Sequence, residues 1–300
     1  MKRATLSVGL VAALILPAAC GGERRQTAAG DTAGGRGSRT TVTIKGSDTM
    51  VILGQRFAEE YMKQNPGVVV QVNGGGSGTG IAALINGTVD LAQSSRPMRE
   101  SEKADVEKRR NTTLNETPVA LDALAVFVHD TNRVKALTLD QVAQIYTGKI
   151  TNWSQVGGVN APMVLYGREN SSGTYEYFKE HVLQKADFAP RVQTLAGTAA
   201  VINAVARDRN GIGYGGIAYA QGVRAIGISE DAKAAAVEPT EENVANGTYP
   251  VTRHLYFYWV AVAGPQVEQF VRWAASPEGQ KVVENVGYFP LSGAPATMTQ

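Results

Sequence analysis

From Thr41 onward, apolar positions either alternate with polar ones or recur at a helical period, and the switches between the two periods predict the elements. Thr41-Val42-Thr43-Ile44-Lys45 alternates as a strand does, and a turn follows at Gly46-Ser47-Asp48-Thr49. Ile52, Leu53, Phe57, Ala58, Tyr61 and Met62 then share a helical face until Asn65-Pro66-Gly67 breaks the run. Val68–Val72 predicts the next strand and leads into the glycine-rich stretch 74–80. Ile81, Leu84 and Ile85 form a second helical stripe, and Val89–Ala92 predicts a third strand running into Gln93-Ser94-Ser95-Arg96-Pro97. Repetition of strand, loop and helix implies a parallel sheet with helices on its faces. Each loop then lies at the carboxyl end of a strand, where open α/β sheets bind ligands.

The pattern continues in the second half. Leu121–Val128 is a nearly continuous apolar run suited to a buried strand. Leu139–Ile145 reads as a helix, and Tyr146–Trp153 turns the chain. Val164–Gly167 reads as a strand that ends in Arg168-Glu169-Asn170-Ser171-Ser172-Gly173-Thr174, before a helix through Phe178. Gly211–Gly216 reads as another tight turn. His254–Val262 is a second long apolar run, and Val267–Ala275 and Gly279–Glu284 read as helices. No Pro/Ser-rich linker divides residues 41–300. Two α/β lobes sharing two crossing strands, near 121–128 and 254–262, account for that continuity. The expected division is 41–124 plus 258–300 for lobe I and 125–257 for lobe II.

Composition narrows the class. A chain of 300 residues with 43% apolar and 7% aromatic side chains has material for two cores, which excludes wholesale disorder. The net charge of +2 comes from the N-terminus. Setting aside Lys2, Arg3, Arg24, Arg25, Arg36 and Arg39, with Glu23 and Asp31, leaves 23 basic and 25 acidic residues in 41–300. A slightly acidic body argues against binding nucleic acid through its phosphates. A single cysteine, Cys20, excludes an internal disulfide and a cysteine-cluster metal site. The three histidines, 129, 181 and 254, are too scattered for a metal site, and no cofactor is expected. Met1-Lys2-Arg3, the apolar stretch Val8–Leu16 and Pro17-Ala18-Ala19 have the make-up of an export signal over 1–19. The segment resembles a lipoprotein signal, which implies a lipidated Cys20 followed by a flexible tether through residue 40, poor in large apolar side chains. An ordinary secretory signal is the alternative, and both readings export the chain to the periplasm or cell surface.

Ser47, Thr49, Ser77, Gly78, Thr79, Ser94, Ser95, Ser172, Gly173 and Thr174 share one setting, the strand-to-helix turn. A helix start presents unpaired N–H groups and a partial positive charge. Glycine lets an anion approach the backbone, and hydroxyls add donors in the same small volume. Each of these residues alone is accounted for as a helix cap. Four such loops on one cleft would form an oxyanion cage. Arg168 adds a fixed charge with a planar fork that pairs with two oxygens. Other templates fail. The spacing at Gly76, Gly78 and Gly80 is not that of a dinucleotide loop, and Gly148-Lys149-Ile150 lacks the hydroxyl of a P-loop. Ser77 is followed two residues on by Thr79 and is no nucleophile elbow. His129 and His254 sit at apolar strand edges in structural positions, and Tyr256-Phe257-Tyr258-Trp259 reads as packing.

The segments TIKGSDTM, VNGGGSGTGIAALINGTVDLAQSSRPM, YTGKITNW, GRENSSGT, RNGIGYGGIAYA and YPVTRHLYFY together resemble the PstS-type phosphate-binding proteins of bacterial ABC uptake systems. The resemblance covers 41–290 in order. It implies a type II periplasmic-binding-protein fold that closes on inorganic phosphate, without catalysis. It also implies a monomer that partners permease subunits and their ATPase and meets the membrane only through a lipid anchor. Carried over by position, phosphate donors fall at Ser47, Thr49, Ser77, Arg168, Ser172, Gly173 and Thr174. The family's third loop carries an Asp that accepts the phosphate proton; here Ser95 stands there, followed by Arg96. Arg96 would supply a second cation. Asp48 would either replace the missing carboxylate or cap a helix. The same fold tuned to sulfate, molybdate or tungstate is one alternative. An exported phosphatase and an adhesion or signalling role without transport are the others.

Overall fold

The computed structural model describes residues 40–291, with eleven strands and nine α-helices. The expected export signal, Cys20 and the tether to residue 39 lie outside the described residues. The opening unit is β1 (Thr40–Gly46), α1 (Val51–Gln64), β2 (Val68–Asn73), α2 (Ser77–Ile85), β3 (Leu91–Ser94) and α3 (Glu100–Arg110). β1 pairs in parallel with both β2 and β3, as the repeated motif requires. The chain then runs through β4 (Leu114–Val128), a 15-residue strand, into a second unit. That unit contains β5 (Ala136–Thr138), α4 (Leu139–Tyr146), β6 (Val164–Arg168), α5 (Gly173–His181) and β7 (Gln193–Leu195). It continues with α6 (Thr198–Arg207), β8 (Gly211–Gly216), β9 (Arg224–Ala225), β10 (Gly227–Ser229) and α7 (Glu241–Ala245). β11 (Thr252–Val260) brings the chain back, and α8 (Pro265–Ala274) and α9 (Pro277–Val286) close it.

The strands form one mixed sheet in the order β2-β1-β3-β11-β4-β8-β6-β7, with β9 on β4 and a separate pair β10-β5. β11 runs antiparallel between β3 and β4, and β4 runs antiparallel to β8. β4 and β11 are the two crossing strands, and each feeds both lobes of the α/β fold. Val119, Ala120 and Leu255 face one core; Leu124 and Val126, with Val251 immediately before β11, face the other. Their pairing slips between Leu255 and Tyr256, next to that change of side.

In the first core, Phe57 of α1 meets Phe257 at 6.0 Å and Tyr61 meets Phe270 at 5.2 Å, both edge-on. In the second, Phe178 stacks on Tyr214 at 3.9 Å while Tyr146 meets both edge-on. Edge-to-face and offset pairs of this kind are favoured by the ring quadrupoles. Phe257, Tyr258 and Trp259 are buried packing residues.

Several elements depart from the sequence reading. Gly211–Gly216 is a fully buried strand, not a tight turn. A Cβ on Gly213 would lie 2.7 Å from Val201 Cγ1 and 2.8 Å from Val205 Cγ2, so the glycines there let α6 lie close against the sheet. β4 begins at Leu114, seven residues earlier than the apolar run, because Glu116 and Pro118 break the apolar pattern where the strand starts. Helices α3 and α6 leave no clear helical period in the sequence. α3 buries only Val106, and α6 is Ala-rich, so neither carries a broad stripe of large apolar side chains.

Candidate functional site

Four chain segments carry small hydroxyls to one buried place. The turn after β1 supplies Ser47 and Thr49. Helix α2 starts with Ser77, β3 ends into Ser95, and α5 starts at Gly173-Thr174 behind its cap Ser172. Every one of these hydroxyl residues is at most 2% exposed. Ser47 Oγ lies 2.9 Å from Ser95 Oγ, and Ser77 Oγ lies 3.4 Å from Ser95 Oγ. Thr49 Oγ1 lies 2.8 Å from Thr174 Oγ1, joining the turn after β1 to the second lobe. Thr198, at the start of α6, lies 3.5 Å from Thr49. Three helix starts, those of α2, α5 and α6, therefore contribute their N-terminal residues to a single hydroxyl cluster, and each brings a partial positive charge.

Gly173 lies close against the opposite lobe. A Cβ there would run into Ser77 Oγ and lie 2.9 Å from both Ser77 Cβ and Ser95 Oγ. Main chain also meets across the cleft: Gly78 N–H donates to the Ser171 carbonyl at 3.0 Å, and Ser171 Oγ donates to the Gly75 carbonyl at 3.2 Å.

Arg168 ends β6 at 2% exposure. Its Nη1 donates to Thr198 Oγ1 at 2.7 Å, and its Nε and Nη2 donate to the Glu169 carboxylate at 3.0 and 2.8 Å. Nη2 also reaches Asp48 Oδ2 at 3.1 Å, across the cleft. Burial alone would push the Glu169 carboxyl up, but the hydrogen bonds and charge of Arg168 outweigh it and hold the group below its ordinary range. The guanidinium is thus fixed in direction by two carboxylates, with one edge turned to the hydroxyl cluster.

The structure brings together Ser47, Thr49, Ser77, Ser95, Gly173, Thr174 and Arg168, with Gly78 at the rim, while the Ser172 hydroxyl accepts the Tyr175 N–H at 3.3 Å and caps α5. It does not bring in Thr79 or Arg96. Thr79 Oγ1 donates back to the Gly75 carbonyl at 2.6 Å. Arg96 points away and binds Glu102 through Nη1 and Nη2, both at 2.8 Å. Its Nε lies 2.8 Å from Glu176 Oε2 without hydrogen-bond alignment. Burial opposes the charge on Arg96, yet Glu102 and Glu176 together raise its pKa further, so it is neutralised rather than available. Arg99 also pairs with Glu176, so the β3–α3 loop of one lobe is tied to α5 of the other beside a groove of about 750 Å³. Asp48 is not a helix cap. Its Oδ1 accepts the Gly75 N–H at 2.9 Å and its Oδ2 takes Arg168. Ser94 Oγ donates to the Arg96 carbonyl and shapes the loop from outside the cluster.

Sequence reading missed three residues of the cluster: Thr198, Asp122 and Arg253. Asp122 is wholly buried and Arg253 is 3% exposed, and they pair at 2.8 Å across β4 and β11. A charge inside the apolar run LDALAVFV was the available signal, since a buried carboxylate demands a partner. Charges near the cluster sum to no excess of cations: Arg168 and Arg253 face Asp48, Glu169 and Asp122. Binding an anion there relies on oriented N–H and O–H dipoles, which suits a tetrahedral oxyanion enclosed by many donors. Among the described residues there is no group of three His, Cys, Asp or Glu side chains able to hold a metal ion.

Comparison with known proteins bears on the class. A model of the PBP superfamily domain matches residues 31–278. The phosphate-binding protein PstS of Pseudomonas aeruginosa is 39% identical over 263 residues, covering 82% of this chain and 81% of its own length. The PstS of Bacillus subtilis is 30% identical over 99% of this chain and 96% of its own. Among solved structures, a Clostridium perfringens protein with bound phosphate, assigned as an ABC transporter substrate-binding protein, aligns with a TM-score of 0.77. It is 32% identical over 84% of this chain and all of that one. An ABC-type phosphate transport receptor from Vibrio cholerae aligns with a TM-score of 0.67 at 30% identity, over 83% of this chain and all of its own.

Proposed function

Since the chain belongs to the PBP superfamily, and within it to the PstS-type phosphate-binding proteins, we propose that the hydroxyl cluster is its phosphate site and that the two lobes close on the anion. The protein binds inorganic phosphate for an ABC uptake system and is not built around a reaction. The observation that supports this placement is the convergence of Ser47, Thr49, Ser77 and Ser95 from one lobe with Gly173, Thr174 and Arg168 from the other, all buried. Donors divided between two bodies bind an anion fully only when the bodies meet. Phosphate therefore favours the closed form by the difference in its affinity for the two forms. Removal from water strengthens every hydrogen bond to it.

In this reading residues 41–124 with 258–300 move against 125–257, the closed form presents its surface to permease subunits with an associated ATPase, and the receptor works as an exported monomer. Cys20, the lipidated end of a tether, keeps it at the membrane. Among the described residues no helix is long and apolar enough to cross a membrane. Cys20→Ser should release the protein from the membrane fraction, and retention there would refute the anchor.

Calorimetric titration of the purified protein, unfolded and refolded to strip bound ligand, tests the site. Phosphate should bind one to one, with sulfate and molybdate competing weakly. Arg168→Ala should weaken binding by about 30-fold to several thousand-fold, the scale of truncating one member of a buried, hydrogen-bonded charge pair, because Asp48 and Glu169 then face the anion uncompensated. Unchanged affinity would remove Arg168 from the site, and preference for another oxyanion would change the ligand.

A further inference from the structure

Resting on the phosphate reading above, we infer that Arg253, borne on the crossing strand β11, is a positioning residue that aims the Thr174 hydroxyl proton into the cage. Arg253 stands opposite Asp122 of β4 in the strand register. Its Nε and Nη2 both donate to Asp122 Oδ2, at 3.0 and 2.8 Å, so the plane of the guanidinium is set. Two further N–H groups go to Ser95 O at 3.0 Å and to Thr174 Oγ1 at 3.0 Å. The group also lies over the Tyr177 ring, with Cζ 5.5 Å from its centroid, and the Tyr177 hydroxyl is held by the Thr252 carbonyl at 2.8 Å. Arg253 thereby touches the third loop of one lobe and the first turn of α5 in the other from a strand common to both.

A guanidinium has donors only. Thr174 Oγ1 is therefore an acceptor toward Arg253, and its single proton must point elsewhere. The other partners within reach are Thr49 Oγ1 at 2.8 Å and Ser95 Oγ at 3.5 Å, both in the cage. Comparable contacts fill Thr198 from Arg168 and Ser77 from the Ser95 N–H. Hydroxyls whose lone pairs are met from behind present protons to the ligand, and a bare P–O⁻ oxygen is what such protons suit. A buried ion pair is a poor source of stability, since desolvation offsets much of its attraction. Asp122, by contrast, is well placed to hold a donor rigidly under Thr174.

The test is phosphate affinity of the wild type, Arg253→Met, Arg253→Lys, Thr174→Val and the double variant Arg253→Met/Thr174→Val, measured on both sides of the second ionisation of phosphate. Arg253→Met should weaken binding about 10- to 150-fold, the scale of a hydrogen bond to a charged group. The loss should be greater for the dianion than for the monoanion, because Thr174 released from Arg253 can accept a P–OH proton. On the Thr174→Val background the same change should cost only a few-fold. A merely structural role would lower affinity by one factor at every pH and on both backgrounds, and that result would overturn the inference. If Arg253→Met does not fold, Arg253→Lys and Thr174→Val decide: both should lose more for the dianion, and equal losses overturn the inference. Absence of phosphate binding by the wild type would instead overturn the functional reading itself.

Discussion

Replacing Gly173 by alanine separates closure from folding. The residue opens α5 with ordinary backbone angles, so alanine is compatible with the helix and, if anything, favours it by about 0.5–1 kcal/mol. In the closed form, however, the new methyl runs into Ser77 Oγ and stands 2.9 Å from both Ser77 Cβ and Ser95 Oγ. All three atoms belong to the opposite lobe. Forcing a methylene into a packed place costs about 1–3 kcal/mol. Separation of the lobes relieves that cost, because the atoms the methyl meets belong to Ser77 and Ser95 of the other lobe. The penalty therefore falls on the closed state alone, and affinity should drop about 5- to 150-fold. Calorimetry measures the affinity, and thermal unfolding without phosphate measures the fold. The midpoint should stay within about 2–4 °C of the wild type, since 1 kcal/mol corresponds to that shift for a domain of a few hundred residues. Undiminished affinity, or a collapse of stability that matches the loss of binding, would refute the reasoning.

Other perturbations follow from the same geometry. Gly213→Ala should destabilise the protein by about 1–3 kcal/mol in denaturant titration, because its methyl would press on Val201 and Val205 where α6 meets the sheet. Glu176→Gln removes the ion pairs from Arg96 and Arg99 across the cleft, and should quicken phosphate release in stopped flow up to about fivefold at low salt, less at high salt. Glu102 and Glu169 are held below the ordinary glutamate range: burial pushes both up, and Arg96 and Arg168 more than reverse it. Groups of lowered pKa stabilise the fold above their unfolded value, near 4.3, and that part is lost as pH falls through their folded values. Thermal midpoints should therefore drop below about pH 4 in the wild type, and less steeply in Glu169→Gln.

Much of this was legible in the chain because the repeating unit is local. Alternation at Thr41–Lys45 and the helical stripe from Ile52 to Met62 are fixed by near neighbours, and so is the run of hydroxyls in each strand-to-helix turn. The resemblance carried by GRENSSGT and TIKGSDTM then pointed to one class of ligand. What stayed hidden depended on distant partners. Arg96 and Arg168 look alike in sequence, each beside a Ser-rich turn, yet Glu102 and Glu176 draw the first away while Glu169 and Asp48 aim the second inward. Arg253 and Asp122 are 131 residues apart, and only the register of β11 on β4 puts them together. The β8 glycines imitate a turn because their role, admitting α6, belongs to a neighbour in space.

The place of β11 between β3 and β4 also dictates an order of assembly. The second lobe is drawn almost entirely from one continuous stretch of chain between the crossing strands, so β4 and β6 meet β8 before β11 has been made. The first lobe begins at Thr40 yet has its middle strand at Thr252–Val260, with α1 packed against α9 near the other end. It stays incomplete until β11, α8 and α9 have been made. Long-range closure of this kind is slow and leaves an edge exposed meanwhile. A chain delivered from its N-terminus would thus finish its second lobe while β1, β2 and β3 wait for their partner, and a chaperone that guards bare strand edges would find its substrate in that interval.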